Sequence, residues 1–467
     1  MEFPADFIFL LAAIILIAGC ETFRSVRSGR SDRQDDQDTP KHPTEDEDHV
    51  VKKRLSSQRA CLRPKARFVV CVVLLAAIPL RAQQAQPFTV QTTLAMALTN
   101  NPDLKVFEAK IETARRNVGV AKTYSYNPEL GYDEGLERHI GVSQTIEWPG
   151  KRSLREAIAK QDVAAAQMGL EGFKVALAAE VRAKFYDLLA ARKTVELRER
   201  EQQLARRVFD TASNRVARAY APVTELTTAE AGMVLAKRSV RLAQSAATQA
   251  QTDLNALLGR DVQATIELEG NLAAPQVDVS LSKLTDVALQ FHPDLRSARL
   301  ELEKRGLNVR LAHKSGAPDI TIQPFFEQDS QNTSDTKVGV GISVPLPIWN
   351  TSRPKVAAAQ AELREAEADL ETKARGVTAN VARAFATWKT AKGDTAAFSP
   401  AFHKKMEAEL NAAEQRYAEG QLPFLSLLEL QRTYFDYMDQ YYQSLTALHD
   451  AQAELEKAAA VSLEDLK

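Results

Sequence analysis

Cysteine is almost absent. The 467-residue chain has three, Cys20, Cys61 and Cys71, and none after residue 71. A disulfide scaffold, a thiolate zinc site and a cysteine nucleophile are thereby excluded from the main body. Charge of one sign is lacking as well: 60 Lys and Arg stand against 61 Asp and Glu. A general nucleic-acid binder carries a basic excess, so no nucleic-acid partner is expected. Long hydrophobic runs are missing. The two present, residues 7–18 and 68–80, fall well short of the roughly 20 residues of a membrane-spanning helix. The histidines of the body, His139, His292, His313, His403 and His449, never stand four apart, so no paired metal ligands share a helix face. No nucleophile–base constellation is visible. An enzyme is not expected, nor a cofactor.

What is present begins with a leader. Both short apolar runs read as signal-peptide cores. The first has Glu2 and Asp6 before it but ends at Cys20 in a box like that of a lipoprotein, which makes Cys20 a possible lipidation site. The second has Arg63, Lys65 and Arg67 before it, the better charge placement, and implies a true start near Val50 or Val51. N-terminal sequencing of the mature chain decides between them, and a mature Cys20 end would refute the second. Residues 1–82 are therefore read as leader, partly disordered because the stretch between the runs is too polar to pack.

The rest is a tandem duplication. Asn101-Pro102-Asp103-Leu104 recurs as His292-Pro293-Asp294-Leu295, offset by 191; Arg215, Trp148 and Arg152 recur as Arg416, Trp349 and Arg353, offset by 201. The extra length is expected as a polar loop around residues 327–335. Each copy reads as a helix (91–122, 282–314), two strands, a very long helix (151–219, 354–419), a proline turn and a last helix (222–258, 423–461). Leu170, Phe173, Leu177, Val181, Phe185 and Leu188 form one helical stripe. Pro400 predicts a bend in the second long helix. A helix of this length is about 100 Å long, the dimension of a shaft.

Val338, Val340, Ile342, Val344, Leu346 and Ile348 alternate with small residues and prolines over eleven positions. That is long enough for a tilted transmembrane strand. Ile140, Val142 and Ile146 alternate in a second strand, Ile320 and Ile322 mark a third, and residues 130–135 a weaker fourth. Trp148 and Trp349 stand at strand ends, where a membrane barrel carries interfacial aromatics. Four strands cannot close a membrane barrel, and open edges are not viable in lipid. Alternation alone fits equally a soluble sheet with one face buried; if these are membrane strands, the barrel must be shared between chains. Lys151, Arg152 and Arg353 are expected to face headgroups or the tunnel mouth, or else to be solvated charge at a helix start.

These features together resemble the TolC family of outer-membrane efflux ducts. The residues that carry the resemblance are the duplicated Asn101-Pro102-Asp103-Leu104, Ser143 to Arg152, Val344 to Asn350, Leu257-Leu258-Gly259 and Arg416-Tyr417-Ala418-Glu419-Gly420. The stretch from Ile146 to Arg152 and the run from Arg215 to Pro222-Val223-Thr224-Glu225 resemble the cobalt–zinc–cadmium resistance (CzcC-like) branch. The resemblance implies a mainly α fold with a small β part: a long α-helical periplasmic barrel, and four strands per protomer in a shared transmembrane β-barrel. It implies a first repeat at 83–258, a linker in an equatorial belt at 259–281, a second repeat at 282–461 and a tail at 462–467. It implies a homotrimer in the outer membrane, contacting its lipid, extending into the periplasm and acting as a passive duct for small solutes, heavy-metal cations among them. Its partners would be a periplasmic adaptor and an inner-membrane RND-type pump, with energy coming from the pump. Adaptor docking would fall on the tips, at Ala219, Tyr220, Pro222, Thr224, Glu225, Gly420, Gln421, Leu422 and Pro423. Arg215, Arg218, Glu225, Arg416, Glu419 and Glu429 are candidate gate charges. Ala219 replaces the family's tip glycine, a liability if that position needs positive φ. The alternative reading is a periplasmic coiled-coil scaffold or adaptor with no barrel.

Overall fold

The computed structural model describes residues 88–135, 137–274, 278–329, 336–349 and 351–463. Both signal segments and the lipidation reading of Cys20 lie outside the described residues.

The first helix of each copy is two helices, correcting the expectation of one. In copy one these are α1 (Val90–Asn100) and α2 (Pro102–Lys122). A residue before proline is driven to extended backbone. Asn101 accordingly sits at φ −58, ψ 126, and its side chain accepts a hydrogen bond from the Asp103 amide. Strands β1 (Glu129–Glu134) and β2 (Glu137–Ile146) follow. Helix α3 (Lys151–Ala217) then runs 67 residues unbroken. Leu177, Val181, Phe185 and Leu188 of the predicted stripe are buried along it. Helix α4 (Val223–Leu257) returns against it.

Copy two repeats the order: α5 (Leu281–Phe291), α6 (Pro293–Lys314), β3 (Ile320–Asp329) and β4 (Thr336–Ser343). His292 plays the part of Asn101, accepting from the Asp294 amide through Nδ1 at 3.2 Å. The second long helix is broken where Pro400 predicted, into α7 (Arg353–Ala396) and α8 (Pro400–Ala418). Helix α9 (Phe424–Ala459) closes the chain.

Short helices meet end to end beside a long one. Asn101 Nδ2 donates to the Leu257 carbonyl at 2.9 Å, joining the start of α2 to the end of α4. Both pack along α3. In copy two, Leu295 of α6 and Ala459 of α9 share one apolar cluster with Val381 and Trp388 of α7. The segment after α4 is tied to α3 and the chain start: Arg192 donates to the Ile266 carbonyl, and the Phe88 amide donates to the Glu267 carbonyl at 2.7 Å.

The four strands form one antiparallel sheet in the order β1-β2-β3-β4. Its register sorts the side chains into two faces. One carries Leu130, Tyr132, Ile140, Val142, Ile146, Ile320, Ile322, Phe326, Val338, Val340 and Ile342; the other carries Asp133, His139, Gly141, Thr145, Thr321, Gln323, Phe325, Glu327, Lys337, Gly339 and Gly341. Val338, Ile342 and Leu130 are each more than 70% exposed on the apolar face. That is an unusual place for such residues in water. Two strand expectations need correction. β4 stops at Ser343 rather than Ile348, because Pro345 and Pro347 have no N–H for a ladder; Leu346, Ile348 and Trp349 nevertheless continue the exposed apolar surface. Residues 327–329, expected in a loop, pair with β2. Among the described residues no helix is long and apolar enough to cross a membrane.

Candidate functional site

The two tip turns, between α3 and α4 and between α8 and α9, are built alike. The Tyr220 amide donates to the Arg215 carbonyl at 2.8 Å and the Ala219 amide to Val216 at 2.9 Å. In copy two, Gln421 donates to Arg416 at 2.8 Å and Gly420 to Tyr417 at 3.0 Å. This pair of bonds is the Schellman arrangement, which needs a left-handed residue just past the helix. Ala219 has φ 61 and Gly420 φ 78. Pro222 and Pro423 follow in extended backbone and start α4 and α9.

Tyr417 binds the two tips together. It is 1% exposed, packed among Leu204, Val208, Leu410 and Phe424. Arg215 Nη1 donates to its carbonyl at 2.9 Å, and the guanidinium lies over its ring 5.0 Å from the centroid. Its hydroxyl donates to Glu225 Oε2 at 3.2 Å. Burial, then the Glu225 charge, pushes its phenol up to about 12. It therefore remains a protonated donor throughout the neutral range. Arg215 and Glu225 belong to copy one and Tyr417 to copy two, so one buried side chain spans the duplication.

The other expected tip residues lie around this lock. Arg416 pairs with Glu409 at 3.2 Å, and Glu419 accepts from Gln415 at 3.1 Å. Arg218 and Glu429 are exposed. Among the described residues of one chain, no salt bridge joins two of the six candidate gate charges. Thr224, Gln421 and Pro423 are exposed, while Leu422 packs against the tip core. Tyr220, Val223 and Leu425 stand out as exposed apolar side chains. Sequence reasoning missed Tyr417 as a site residue, and Val223 and Leu425 with it. Their signal was present only in part: Tyr417 lay inside a quoted motif, but the residue 201 positions earlier is Val216, so the duplication did not point to it.

At the opposite end of α3, Lys151 corrects an expectation. It is 8% exposed and pairs with Asp319 at 2.7 Å, also donating to the Ala317 carbonyl at 2.9 Å. Asp319 accepts from the Trp148 amide at 2.8 Å. Burial works to raise the Asp319 carboxyl, but the bonds from Lys151 and the Trp148 amide prevail and hold it below the ordinary range. Glu147 is held down by the two-pronged Arg155 contact, 2.5 and 2.9 Å. These pairs clamp the sheet to the helices, so Lys151 faces neither headgroup nor tunnel. Trp148 is partly exposed just past β2, and Trp349 is 91% exposed. Among the described residues no group of three His, Cys, Asp or Glu could hold a metal ion.

A family model described as outer membrane efflux protein matches residues 93–260 and 284–461, one match for each copy. The chain belongs to the outer membrane efflux protein family. It is a channel-type protein of the outer membrane. Among curated relatives, it is 24% identical over 380 residues to the cobalt-zinc-cadmium resistance protein CzcC of Cupriavidus metallidurans, covering 78% of this chain and 90% of that protein. It is 23% identical over 393 residues to the probable outer membrane lipoprotein SilC of Salmonella typhimurium, covering 74% and 80%. Among solved structures, CusC superposes with a TM-score of 0.65 at 17% identity, covering 79% of this chain and 91% of that one. The expected mainly α fold with a small β part is thus the family's. The scaffold alternative has no support among these matches.

Proposed function

We propose that this efflux protein is a homotrimeric duct in which each protomer gives four strands to a shared outer-membrane barrel and its long helices to a periplasmic tunnel. The observation that carries this reading is the four-stranded sheet with an exposed apolar face and two open edges. In lipid such edges must be paired, and a closed barrel begins at eight strands, so copies of the chain supply the rest. Trp148 and Trp349 then sit at the lipid interface nearest the helices. The domain layout keeps the two repeats, 83–258 and 282–461, with 259–281 in a belt around α3.

The tips are the periplasmic entrance. Arg215, Tyr417 and Glu225 hold it in one arrangement, and the exposed Tyr220, Val223 and Leu425 offer an apolar surface for a periplasmic adaptor that links the duct to an RND-type pump. Of the remaining candidate charges, Arg218 and Glu429 face outward and are available to neighbouring protomers, while Arg416 and Glu419 are engaged by Glu409 and Gln415 of their own chain. The cargo is heavy-metal cations, a reading supported by the likeness to CzcC. It is cargo in transit, and the duct itself has no catalytic step. Deleting the gene and challenging cells with zinc, cobalt, cadmium and organic drugs tests the cargo. Metal hypersensitivity is expected, and hypersensitivity to drugs alone would refute it. Fractionation tests the assembly: a detergent-extracted, heat-sensitive trimer from the outer membrane is expected, and release by osmotic shock would sink the duct.

A further inference from the structure

The polar face of the sheet carries one large apolar side chain, Phe325. The register places it in a row with glycine on every other strand: Gly131, Gly141, Phe325, Gly339. The ring lies over the backbone of Gly339. A Cβ added at Gly339 would stand 2.5 Å from Phe325 Cζ and 2.9 Å from Cε1. A Cβ at Gly141 would meet Phe325 Cβ at 3.3 Å and His139 Nε2 at 3.2 Å. His139 stacks on the ring, with centroids 5.0 Å apart and planes 19° apart. The ring is therefore bounded by glycine backbone beneath and an imidazole beside it.

Glycine in a strand interior weakens it and marks a bend or the close approach of another group. Here the approaching group is identified. An aromatic ring covering cross-strand glycine restores apolar contact that the sheet would otherwise lack. The same contact keeps the ring folded along the wall. Any side chain at 339 takes that space, and the ring must stand away from the sheet.

We propose that Phe325 is a bore-determining residue of the outer barrel, its ring held flat against the lumen wall over Gly339 and stacked by His139, for which Gly141 leaves room. This rests on the duct reading, in which the polar face lines the lumen. One ring per protomer at a single level sets how wide a hydrated solute can pass there. The glycines at that level keep the passage open.

Single-channel conductance of the purified full chain in planar bilayers tests this with Gly339→Val, Phe325→Ala and the double variant. Gly339→Val is expected to conduct less than wild type, and the double variant to return to the wild-type value. Wild-type conductance in Gly339→Val, or a double variant that stays low, overturns the proposal. Should Gly339→Val fail to assemble, Phe325→Cys serves instead, since the chain has no cysteine after residue 71. A charged, water-soluble thiol reagent is expected to lower the conductance of Phe325→Cys and leave Val340→Cys, on the apolar face, unchanged. No effect at Phe325→Cys overturns the proposal. A wild-type protein that forms no channel, or a block at Val340→Cys, removes the duct reading and the proposal with it.

Discussion

The Schellman turn of the tips recurs at two more helix ends, where the Arg260 amide donates to the Asn255 carbonyl at 3.0 Å and the Val461 amide to the Glu456 carbonyl at 3.1 Å. Besides Ala219 and Gly420 at the tips, Gly259 ends α4 and Ala460 ends α9, with φ 63 and 54. Gly259 and Ala460 are offset by 201, as are Ala219 and Gly420. The duplication thus keeps the left-handed geometry at both places and puts glycine in one copy and alanine in the other. Left-handed backbone costs an L-residue about 1–2 kcal/mol. Glycine removes that strain but gives back about 0.4–1 kcal/mol through the freedom of its unfolded chain. Ala219→Gly and Ala460→Gly should each stabilise by about 0.5–1 kcal/mol. The reverse changes should differ from each other. A Cβ at Gly420 would meet only the Arg215 Nη1 at 3.2 Å, the end of a flexible side chain, so Gly420→Ala loses about 1 kcal/mol. A Cβ at Gly259 would lie 2.5 Å from the Asn100 carbonyl oxygen, which is backbone. Adding an overpacking cost of about 1–3 kcal/mol makes Gly259→Ala several-fold worse. Thermal melting of the detergent-solubilised protein reads this at about 1 °C per kcal/mol for a cooperative unit of this length. Equal melting temperatures for Gly259→Ala and Gly420→Ala, or a lower one for Ala460→Gly than for wild type, would refute the reasoning.

Three further outcomes are expected. Tyr417→Phe removes the hydroxyl that holds Glu225, a bond to a charged group worth about 1.5–3 kcal/mol; the entrance should open more readily, raising uptake of a large antibiotic, and unchanged uptake would count against the lock. His449, stacked on Tyr186 at 3.5 Å, is pushed down to about 4 by burial, while the neighbouring Asp450 is pushed up to about 6 by burial and Asp187. Below pH 6.5 the unfolded chain gains a proton that folded His449 refuses, so stability falls on acidification. Above pH 4 it loses a proton that folded Asp450 keeps, so stability falls on raising the pH to 6. The two slopes oppose; Asp450→Asn should expose the first as about 3 kcal/mol lost between pH 6.5 and 4, and a flat profile in that variant would refute it. Asp319→Ala strands the buried Lys151 charge and should cost about 3 kcal/mol, whereas Asp319→Leu with Lys151→Met should cost clearly less in the same melting assay.

Much of the architecture was legible because it is local. The unbroken run from residue 151, the proline break at Pro400 and the tip turns all depend on residues a few positions apart, and the duplication shows as short motifs repeated in order. The splitting of the first helix at Asn101 and His292 was also local, since each precedes a proline, and periodicity across the joint hid it. β4 was read too long for a related reason: alternation persists through Pro345 and Pro347, but pairing needs N–H groups that proline lacks.

Sequence alone determined the family, the order of elements and the places where the chain must turn. Each follows from spacing, proline and glycine chemistry, or ordered motifs in duplicate. Only the tertiary structure decided which residues meet. Tyr417 joins Arg215 and Glu225 from the other copy; Lys151 finds Asp319, 168 positions away; and Phe325 finds Gly141 and Gly339 on the two strands beside its own. Periodicity gives a side chain its face but not its neighbour. The neighbour is set by strand register and by which helices pack, and those depend on the whole chain closing on itself.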